Sequence, residues 1–375
     1  MMTPRQRWLA LLNQQPADRI PTDYWATGEF HAKLLARMGI TASEIQQQRP
    51  NVDPVSASPQ QQARSADEIL WRRLGIDKPR GVGPRWKLQA HPDDPQADMW
   101  GNRHRRIEYG TGAYDEFATG PLAKMTTPDE VDSFRWPDPD DFDYSPITEA
   151  LHHDDGYRII QAGGYEPFLT YAGMRGMEQA YEDMLLDPAM VEAALKNMFA
   201  FFFEHHRRIF QAGRGHIDMT YVAEDLGGQT GPLFSLEVYR RFLLPYQKRM
   251  ADLARSFGVH VFYHTDGAAH IFLPDLIGAV GIEVLNPIQW RCPGMERETL
   301  ARQYGHQVVF HGAIDNQQTL PFGTAQQVAQ EVRQTAEIFK SCRWICAPCH
   351  NIQAVTPVEN VIAMYETAAS LKSPG

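Results

Sequence analysis

The sequence has little of what marks a secreted, membrane-spanning or nucleic-acid-binding protein. Only four of its 375 residues are cysteines, too few for a disulfide framework in a chain of this length and typical of a cytoplasmic protein. Its 36 basic residues are outnumbered by 46 acidic residues, which argues against binding to nucleic acid or to an anionic membrane surface. The densest apolar run, residues 198–203, is far shorter than the roughly 20 residues of a membrane span. We therefore expect a cytoplasmic protein that binds neither nucleic acid nor membrane.

Several motifs of well-studied enzyme classes are also missing. The sequence has no Walker loop, no G-x-S-x-G elbow and no H-E-x-x-H zinc motif, so nothing in it supports nucleotide hydrolysis or serine hydrolysis. It also lacks the G-x-G-x-x-G turn that usually follows the first strand of a doubly wound sheet. What the sequence does have is ample material for a core, since 43% of its residues are hydrophobic.

From about residue 157 onward, short apolar runs alternate with longer helical patterns. The predicted strands are residues 157–163, 217–222, 259–264, 282–286, 307–311 and 343–347. The predicted helices are residues 178–211, 236–255, 271–277, 296–304, 325–340 and 358–371. Two further strands, residues 19–24 and one within 80–120, bring the number to eight. This alternation predicts an α/β protein with the (β/α)8 TIM-barrel fold, and a doubly wound open sheet is the alternative.

Residues 40–150 interrupt this rhythm. They contain two glutamine runs, at 46–48 and 60–62, many prolines, and a hairpin pattern over residues 104–117 that turns at 110–112. A structureless loop of this length is unusual inside a compact domain. We predict a single barrel domain over residues 1–375, with residues 40–150 as an insertion near the N-terminal part that covers the mouth. A solvated excursion is the alternative.

Almost every predicted strand delivers a polar side chain to its carboxyl end. In a barrel, these ends and the loops that follow them form the mouth, where catalytic groups lie. The candidates at these positions are Asp23, Tyr24, Glu166, Glu224, Asp225, His264, Asp266, Asn286, Gln289, His311, Asp315, Cys349, His350 and Asn351. One polar loop would mean little, but this many carboxylates, imidazoles and amides at one face predict an active site.

The sharpest local pattern is His264-Thr-Asp266. The two-residue period of an extended chain puts His264 and Asp266 on the same side, where an imidazole and a carboxylate can bind one cation. Cys349, which leaves the last strand, could add a thiolate, and Glu224 is a candidate fourth ligand. This mixed set suits Zn²⁺ with an open position. The alternative is a hydrogen-bonded histidine followed by a simple turn.

Motifs along nearly the whole chain resemble the uroporphyrinogen decarboxylase-like superfamily, and most of all its corrinoid-linked methyltransferases. The motifs that carry the resemblance are Asp98-Met-Trp-Gly, Arg175-Gly-Met-Glu-Gln, Glu224-Asp-Leu-Gly, His264-Thr-Asp-Gly, Leu285-Asn-Pro-Ile-Gln and His311-Gly-Ala-Ile-Asp. The resemblance implies a TIM barrel, in agreement with the β-α alternation. It also makes a homodimer the expected assembly.

The methyltransferases of this superfamily bind zinc through an H-x-C motif and a distant cysteine. Here Asp266 stands in place of the first cysteine, and Cys349 lies near the position of the second. The resemblance therefore implies a zinc site at His264, Asp266 and Cys349. It implies a zinc- and corrinoid-dependent methyltransferase that moves a methyl group between a small methylated substrate or thiol and a corrinoid carried by a partner protein.

We use the methyltransferase hypothesis to assign roles to the remaining candidates. We assign catalysis to Asp23, Glu224, Asp225, His311 and Asp315, and substrate binding to Tyr24, Asn286, Gln289 and Asn351. The first alternative is a carboxy-lyase of the decarboxylase type, but residues 19–29 contain no arginine after the predicted strand, where decarboxylases hold their polycarboxylate substrate. The second alternative is a non-catalytic protein that binds a corrinoid or tetrapyrrole.

Overall fold

The computed structural model describes residues 1–41, 43–44, 59–88, 90–108, 110 and 113–373. The chain divides into two compact units. The central unit contains Arg80–Asn286 and Arg291–Met295, and the terminal unit contains Met1–Pro79, Pro287–Trp290 and Glu296–Gly375. Within the described residues, no helix is both long enough and apolar enough to cross a membrane.

Five parallel strands form the sheet of the central unit. They are β1 (Arg80–Val82), β6 (Ile160–Tyr165), β7 (Met219–Ala223), β8 (His260–His264) and β9 (Val284–Asn286), and each pairs with the next. Parallel neighbours need crossover connections, which are helical here. Both faces of β7, β8 and β9 are covered: β7 and β8 contain only one half-buried residue each, and β9 is fully buried.

The rest of the central unit contains helices and two antiparallel strand pairs. Its α-helices are Pro128–Asp132, Ser145–His152, Pro167–Arg175, Met177–Leu186, Pro188–Gly213, Leu236–Phe242, Leu244–Ser256 and Leu273–Asp275. Its antiparallel pairs are β2 (Arg85–Trp86) with β5 (Phe142–Asp143) and β3 (Arg103–Glu108) with β4 (Ala113–Thr119). Proline at the first helical turn fits the helix starts at 128, 167 and 188, because those N–H groups have no partner within the helix.

The terminal unit combines residues from both ends of the chain. Its strands β10 (Val309–Ile314) and β11 (Arg343–Pro348) are parallel and in register. Its helices are Pro4–Leu12, Gly28–Met38, Pro59–Leu74, Arg297–Tyr304, Thr319–Phe322, Ala325–Ile338 and Val358–Ser370. Thr3 and Thr324 begin two of these helices with complete capping boxes, in which side chain and backbone satisfy each other.

The predicted α/β class is confirmed, and so are seven of the eight predicted strand positions. Each of the six strands predicted after residue 157 overlaps an observed strand, and β1 lies in the range predicted for another. The segment predicted at 19–24 forms a parallel bridge from Thr22 to Cys346 of β11 rather than a full strand. Seven strands of the described residues therefore pair in parallel, and the closed eight-stranded barrel stays a prediction.

The region predicted as an insertion has structure of its own. The hairpin expected at 104–117 is present as β3 and β4, although residues 111–112 of its turn lie outside the described residues. The glutamine run at 60–62 lies in the helix Pro59–Leu74, whereas the run at 46–48 lies outside the described residues. Residues 40–79 belong to the terminal unit and residues 80–150 to the central unit. That this region covers the mouth of a single barrel domain stays a prediction.

A buried carboxylate ties the amino-terminal segments of the terminal unit together. Asp77 is fully buried, and it forms ion pairs with Arg7 at 2.9 Å and with Arg19 at 2.8 Å. Its second oxygen accepts the backbone N–H of Thr22 at 3.0 Å, and its carbonyl accepts the indole N–H of Trp8 at 3.0 Å. One side chain thus joins the first helix to the segment that pairs with β11.

We predict that Asp77→Ala destabilises the protein strongly. Removing one partner of a buried ion pair typically costs roughly 3 to 5 kcal/mol, because the remaining charge is left in a poor solvent. The free energy of unfolding in urea measures the effect. As a matched control, Glu359→Ala breaks an exposed pair with Arg37 and should leave the unfolding midpoint unchanged. Equal effects of the two substitutions would contradict the prediction.

Candidate active site

The carboxyl ends of β7, β8 and β9 bring polar side chains together in the central unit. The strand register sets His264 beside Ala223 on one side and beside Asn286 on the other. The pairing continues past the strand ends: the N–H of Glu224 donates to His264 O at 3.0 Å, and the N–H of Thr265 donates to Asn286 O at 2.8 Å. His264 is therefore fixed by backbone hydrogen bonds on both sides.

Two glycines let the loops after β7 and β8 touch along their backbones. A Cβ atom on Gly267 would lie 2.3 Å from the carbonyl oxygen of Gly227, and a Cβ on Gly227 would lie 2.5 Å from the backbone nitrogen of Ala268. Gly267 also has a φ of +72°, which side chains rarely adopt. The loop that carries Asp225 and the loop that carries Asp266 are therefore held at a distance that only glycine permits.

Asp225, His264 and Asp266 form a group suited to a metal ion. Their ligand atoms all lie within 4.8 Å of one another. His264 Nε2 is 3.7 Å from Asp225 Oδ1 and 3.8 Å from Asp266 Oδ1. The two loops are also linked directly, because the N–H of Asp266 donates to Asp225 Oδ1 at 3.3 Å. One imidazole nitrogen and two carboxylate oxygens are common ligands of divalent zinc.

The ring of His264 is held at its edge and on its face. Its Nδ1 is 2.6 Å from Asn286 Oδ1, and both residues are buried. The ring stacks on that of Tyr221, with centroids 5.8 Å apart and an angle of 27° between the planes. The imidazole therefore has little freedom to turn away from the two carboxylates.

Two further carboxyl groups border this group, and both are harder to ionise than usual. Burial raises the pKa of Glu224 well above its ordinary value, although its oxygens accept the backbone N–H groups of Phe168 at 2.6 Å and Leu169 at 3.2 Å. Burial also raises the pKa of Glu166, against the opposing effect of His264, and the charges of Asp225 and Asp266 add to the rise. The site is thus rich in carboxyl groups whose mutual repulsion favours protons or a cation.

A second polar cluster lies in the terminal unit, around Asp23. His311 Nε2 is 3.0 Å from Asp23 Oδ2, which also accepts the indole N–H of Trp25 at 2.9 Å. Lys78 Nζ is 3.9 Å from Asp23 Oδ1. Burial of Asp23 opposes its ionisation, but the positive charge of Lys78 and the hydrogen bond from His311 outweigh it and lower the pKa of Asp23 to about 2. This carboxyl is therefore ionised at neutral pH.

The backbone beside His311 is unusual. Gly312 has a φ of +105° and Ala313 a φ of +72°, although Ala313 carries a side chain and lies inside β10. Left-handed conformations of non-glycine residues cost about 1 to 3 kcal/mol and are concentrated at functional positions. β10 nevertheless stays in register with β11 through both residues.

Other residues assigned to the site have structural contacts in the terminal unit. Asp315 accepts the backbone N–H groups of Gln317 and Thr319, just before and at the start of the helix Thr319–Phe322. The thiol of Cys349 donates to the carbonyl of Ile288 at 3.1 Å. Gln289 is buried, and Asn351 is half-buried. Their predicted roles in catalysis, metal binding and substrate binding stay predictions.

The structure brings the predicted residues together in two groups. The first contains Glu224, Asp225, His264, Asp266 and Asn286 in the central unit, and the second contains Asp23, Tyr24 and His311 in the terminal unit. Sequence reasoning placed Glu166 at a strand end but gave it no role, and it missed Tyr221 in the first group and Trp25 and Lys78 in the second. The position of Glu166 directly after a predicted strand identifies it from sequence, whereas nothing in the sequence pattern singles out Lys78.

The chain resembles known proteins in sequence and in fold. A family model described as uroporphyrinogen decarboxylase (URO-D) matches residues 124–371. Among solved structures, a methyltransferase from Methanosarcina mazei is 17% identical, with a TM-score of 0.64 and 98% of each chain covered. A B12-independent methionine synthase from Shewanella sp. W3-18-1 is 11% identical, with a TM-score of 0.37 and coverage of 60% of this chain and 65% of that chain. No curated protein matches. The first of these structures shows a shared fold.

We predict that Gly267→Ala disrupts the loops that carry Asp225 and Asp266. The added Cβ would collide with backbone atoms of Gly227, which cannot rotate away as a flexible side chain can. Gly258→Ala is the matched control, because Gly258 has the same φ of +72° but open space around its Cβ position. The control should lose about 1 to 2 kcal/mol from the left-handed backbone alone. In urea unfolding, Gly267→Ala should lose clearly more; equal losses would show that the loops do not constrain each other.

We also predict that acid removes the stabilisation supplied by Asp23. Its pKa is about 2 in the folded protein, against the ordinary value of 3.8 expected in the unfolded chain. Between these two pH values the unfolded chain therefore binds more protons than the folded protein. The contribution is present above pH 3.8 and is lost as the pH falls toward 2, and it amounts to roughly 2 kcal/mol. The difference in unfolding free energy between the wild type and Asp23→Asn should therefore shrink between pH 5 and pH 3. A constant difference would contradict the assigned pKa.

Proposed function

Because this chain belongs to the uroporphyrinogen decarboxylase family, we propose that it is a methyltransferase. It moves a methyl group between a small methylated substrate or a thiol and a corrinoid cofactor, which a partner protein carries. Zinc is held by Asp225, His264 and Asp266. The convergence of these three ligands is the observation that carries the proposal. The fold shared with a methyltransferase from Methanosarcina mazei supports it.

The donor set and its distances fit a zinc ion. Ligand atoms about 2 Å from one ion lie roughly 3 to 4 Å from each other, and His264 Nε2 lies 3.7 and 3.8 Å from the two carboxylate oxygens. Three protein ligands leave an open position, as catalytic zinc sites do. Compared with the thiolates implied by the sequence resemblance, two carboxylates make the site harder and less selective for zinc.

The chemistry divides between the ion and the chain. When bound, zinc supplies Lewis acidity, which lowers the pKa of a thiol or polarises a methylated heteroatom. Glu166 is half-buried and has a raised pKa, so it can hold the proton that a heteroatom takes up when its methyl group leaves. Tyr221 and Asn286 keep the imidazole of His264 in place, so that no ligand must reorganise during the reaction.

The ion pairs of Arg7 and Arg19 argue against decarboxylation of a polyanionic porphyrinogen. Arg7 and Arg19 both form ion pairs with the buried Asp77, and Arg7 pairs with Asp18 as well. Their charges are therefore already compensated within the terminal unit. The acidic group around His264 would repel further carboxylates.

We predict that the purified protein binds one zinc ion through His264. Calorimetric titration with zinc should show affinity weakened roughly 100-fold or more in His264→Ala. The matched control is His260→Ala on the same strand, whose Nδ1 bonds Glu283 Oε1 at 2.6 Å and which should bind zinc like the wild type. Cys349→Ser tests whether the predicted thiolate contributes. Wild-type protein that takes up no zinc after supplementation would overturn the metal-centred proposal.

We further predict methyl transfer to a free corrinoid. The zinc-loaded protein should methylate cob(I)alamin with at least one class of donor among methyl thioethers, methyl ethers and methylamines. The change in absorbance of the corrinoid measures the methylation. His264→Ala should abolish the reaction, and His260→Ala should leave it unchanged. Release of carbon dioxide from uroporphyrinogen without methyl transfer would favour the carboxy-lyase alternative. Corrinoid binding with neither turnover would favour a binding protein.

A further inference from the structure

The contact between His264 and Asn286 determines more than the position of the ring. Asn286 Oδ1 lies 2.6 Å from His264 Nδ1, and an amide oxygen can only accept a hydrogen bond. His264 Nδ1 must therefore carry the proton. In a neutral imidazole the other nitrogen, Nε2, then carries the lone pair. This is the nitrogen that faces Asp225 and Asp266.

The strands leave Asn286 little alternative to this contact. It is the last residue of β9 and lies directly beside His264 in the parallel register. It is 1% exposed, and its carbonyl accepts the N–H of Thr265 at 2.8 Å. A buried amide of this kind does not gain contact with solvent by turning away. Its orientation is thus a property of the sheet rather than of a mobile loop.

A neighbouring pair on the same two segments provides an internal comparison. His260 lies at the start of β8, and its Nδ1 is 2.6 Å from Glu283 Oε1, so this ring is held through the same nitrogen by a carboxylate. Glu283 also accepts the N–H of Val261 at 2.9 Å. No carboxylate of the metal-ligand group is paired with His260 in the described residues. Of these two similarly anchored histidines, His264 is the one that presents Nε2 to two further ligands.

We propose that Asn286 is a positioning residue: it accepts the Nδ1 proton of His264 and so holds the ring in the tautomer that directs the Nε2 lone pair toward the carboxylates of Asp225 and Asp266. This inference deepens the proposed function and rests on it for the identity of the ion. It gives Asn286 a different task from the substrate binding expected from the sequence. Partners of this kind typically change metal affinity 10- to 100-fold.

The first test reads the tautomer in the metal-free protein. Nitrogen-15 NMR of protein labelled in its histidine rings distinguishes a protonated Nδ1 from a protonated Nε2 at a pH where the ring is neutral. We expect His264 in the Nδ1–H form in the wild type and in Asn286→Asp, which keeps an acceptor. In Asn286→Leu, which has similar size but no acceptor, the preference should be lost, while the signals of His260 stay unchanged. An Nε2–H form in the wild type would overturn the proposal without any variant.

The second test reads zinc affinity by calorimetry. Asn286→Leu should bind zinc 10- to 100-fold more weakly than the wild type, and Asn286→Asp should recover most of the loss. Equal affinity of the wild type and Asn286→Leu would refute the positioning role and leave the proposed metal site intact. Absence of zinc binding in the wild type would refute the proposed function, while the tautomer of the metal-free protein would still decide whether Asn286 directs the ring.

Discussion

The backbone contact between Gly227 and Gly267 is the constraint on which the candidate site depends. A Cβ atom at either position would overlap main-chain atoms of the opposite loop. Because the loops touch, Asp225 Oδ1 and Asp266 Oδ1 lie 3.7 and 3.8 Å from the same ring nitrogen, His264 Nε2. Two local features therefore position the three candidate ligands: a strand register fixes the histidine, and one close approach of two loops places both carboxylates.

The pKa of a buried carboxyl group is shifted in opposite directions in the two clusters. Asp23 has Lys78 and His311 beside it, and its pKa is lowered to about 2 in spite of burial. Glu224 is equally buried, but its neighbours Glu166 and Asp225 are acidic, and its pKa is raised. The first arrangement holds a fixed negative charge. The second arrangement favours protonated carboxyl groups, and a metal ion bound there would neutralise the excess negative charge.

Much of the fold and part of the site could be predicted from sequence. Strands alternate with helices at recognisable intervals, and polar residues at strand ends identify His264 and Asp266 because an extended chain repeats every two residues. The role of Asp225 as a partner of both could not be predicted in this way, since it depends on a contact between two loops. Lys78 was missed for a similar reason: it follows a helix, and only tertiary packing brings it to Asp23.

The composition of the terminal unit has a consequence for synthesis of the chain. Asp23 N donates to Cys346 O, and the hydroxyl of Tyr365 donates to Asp23 O, so Asp23 finds these partners only after more than 300 further residues have been made. The central unit consists of one continuous segment, Arg80–Asn286, and the short segment Arg291–Met295. Because domains tend to fold as they leave the ribosome, the central strands have their partners early, whereas Asp23 must wait for Cys346 and Tyr365 to be synthesised.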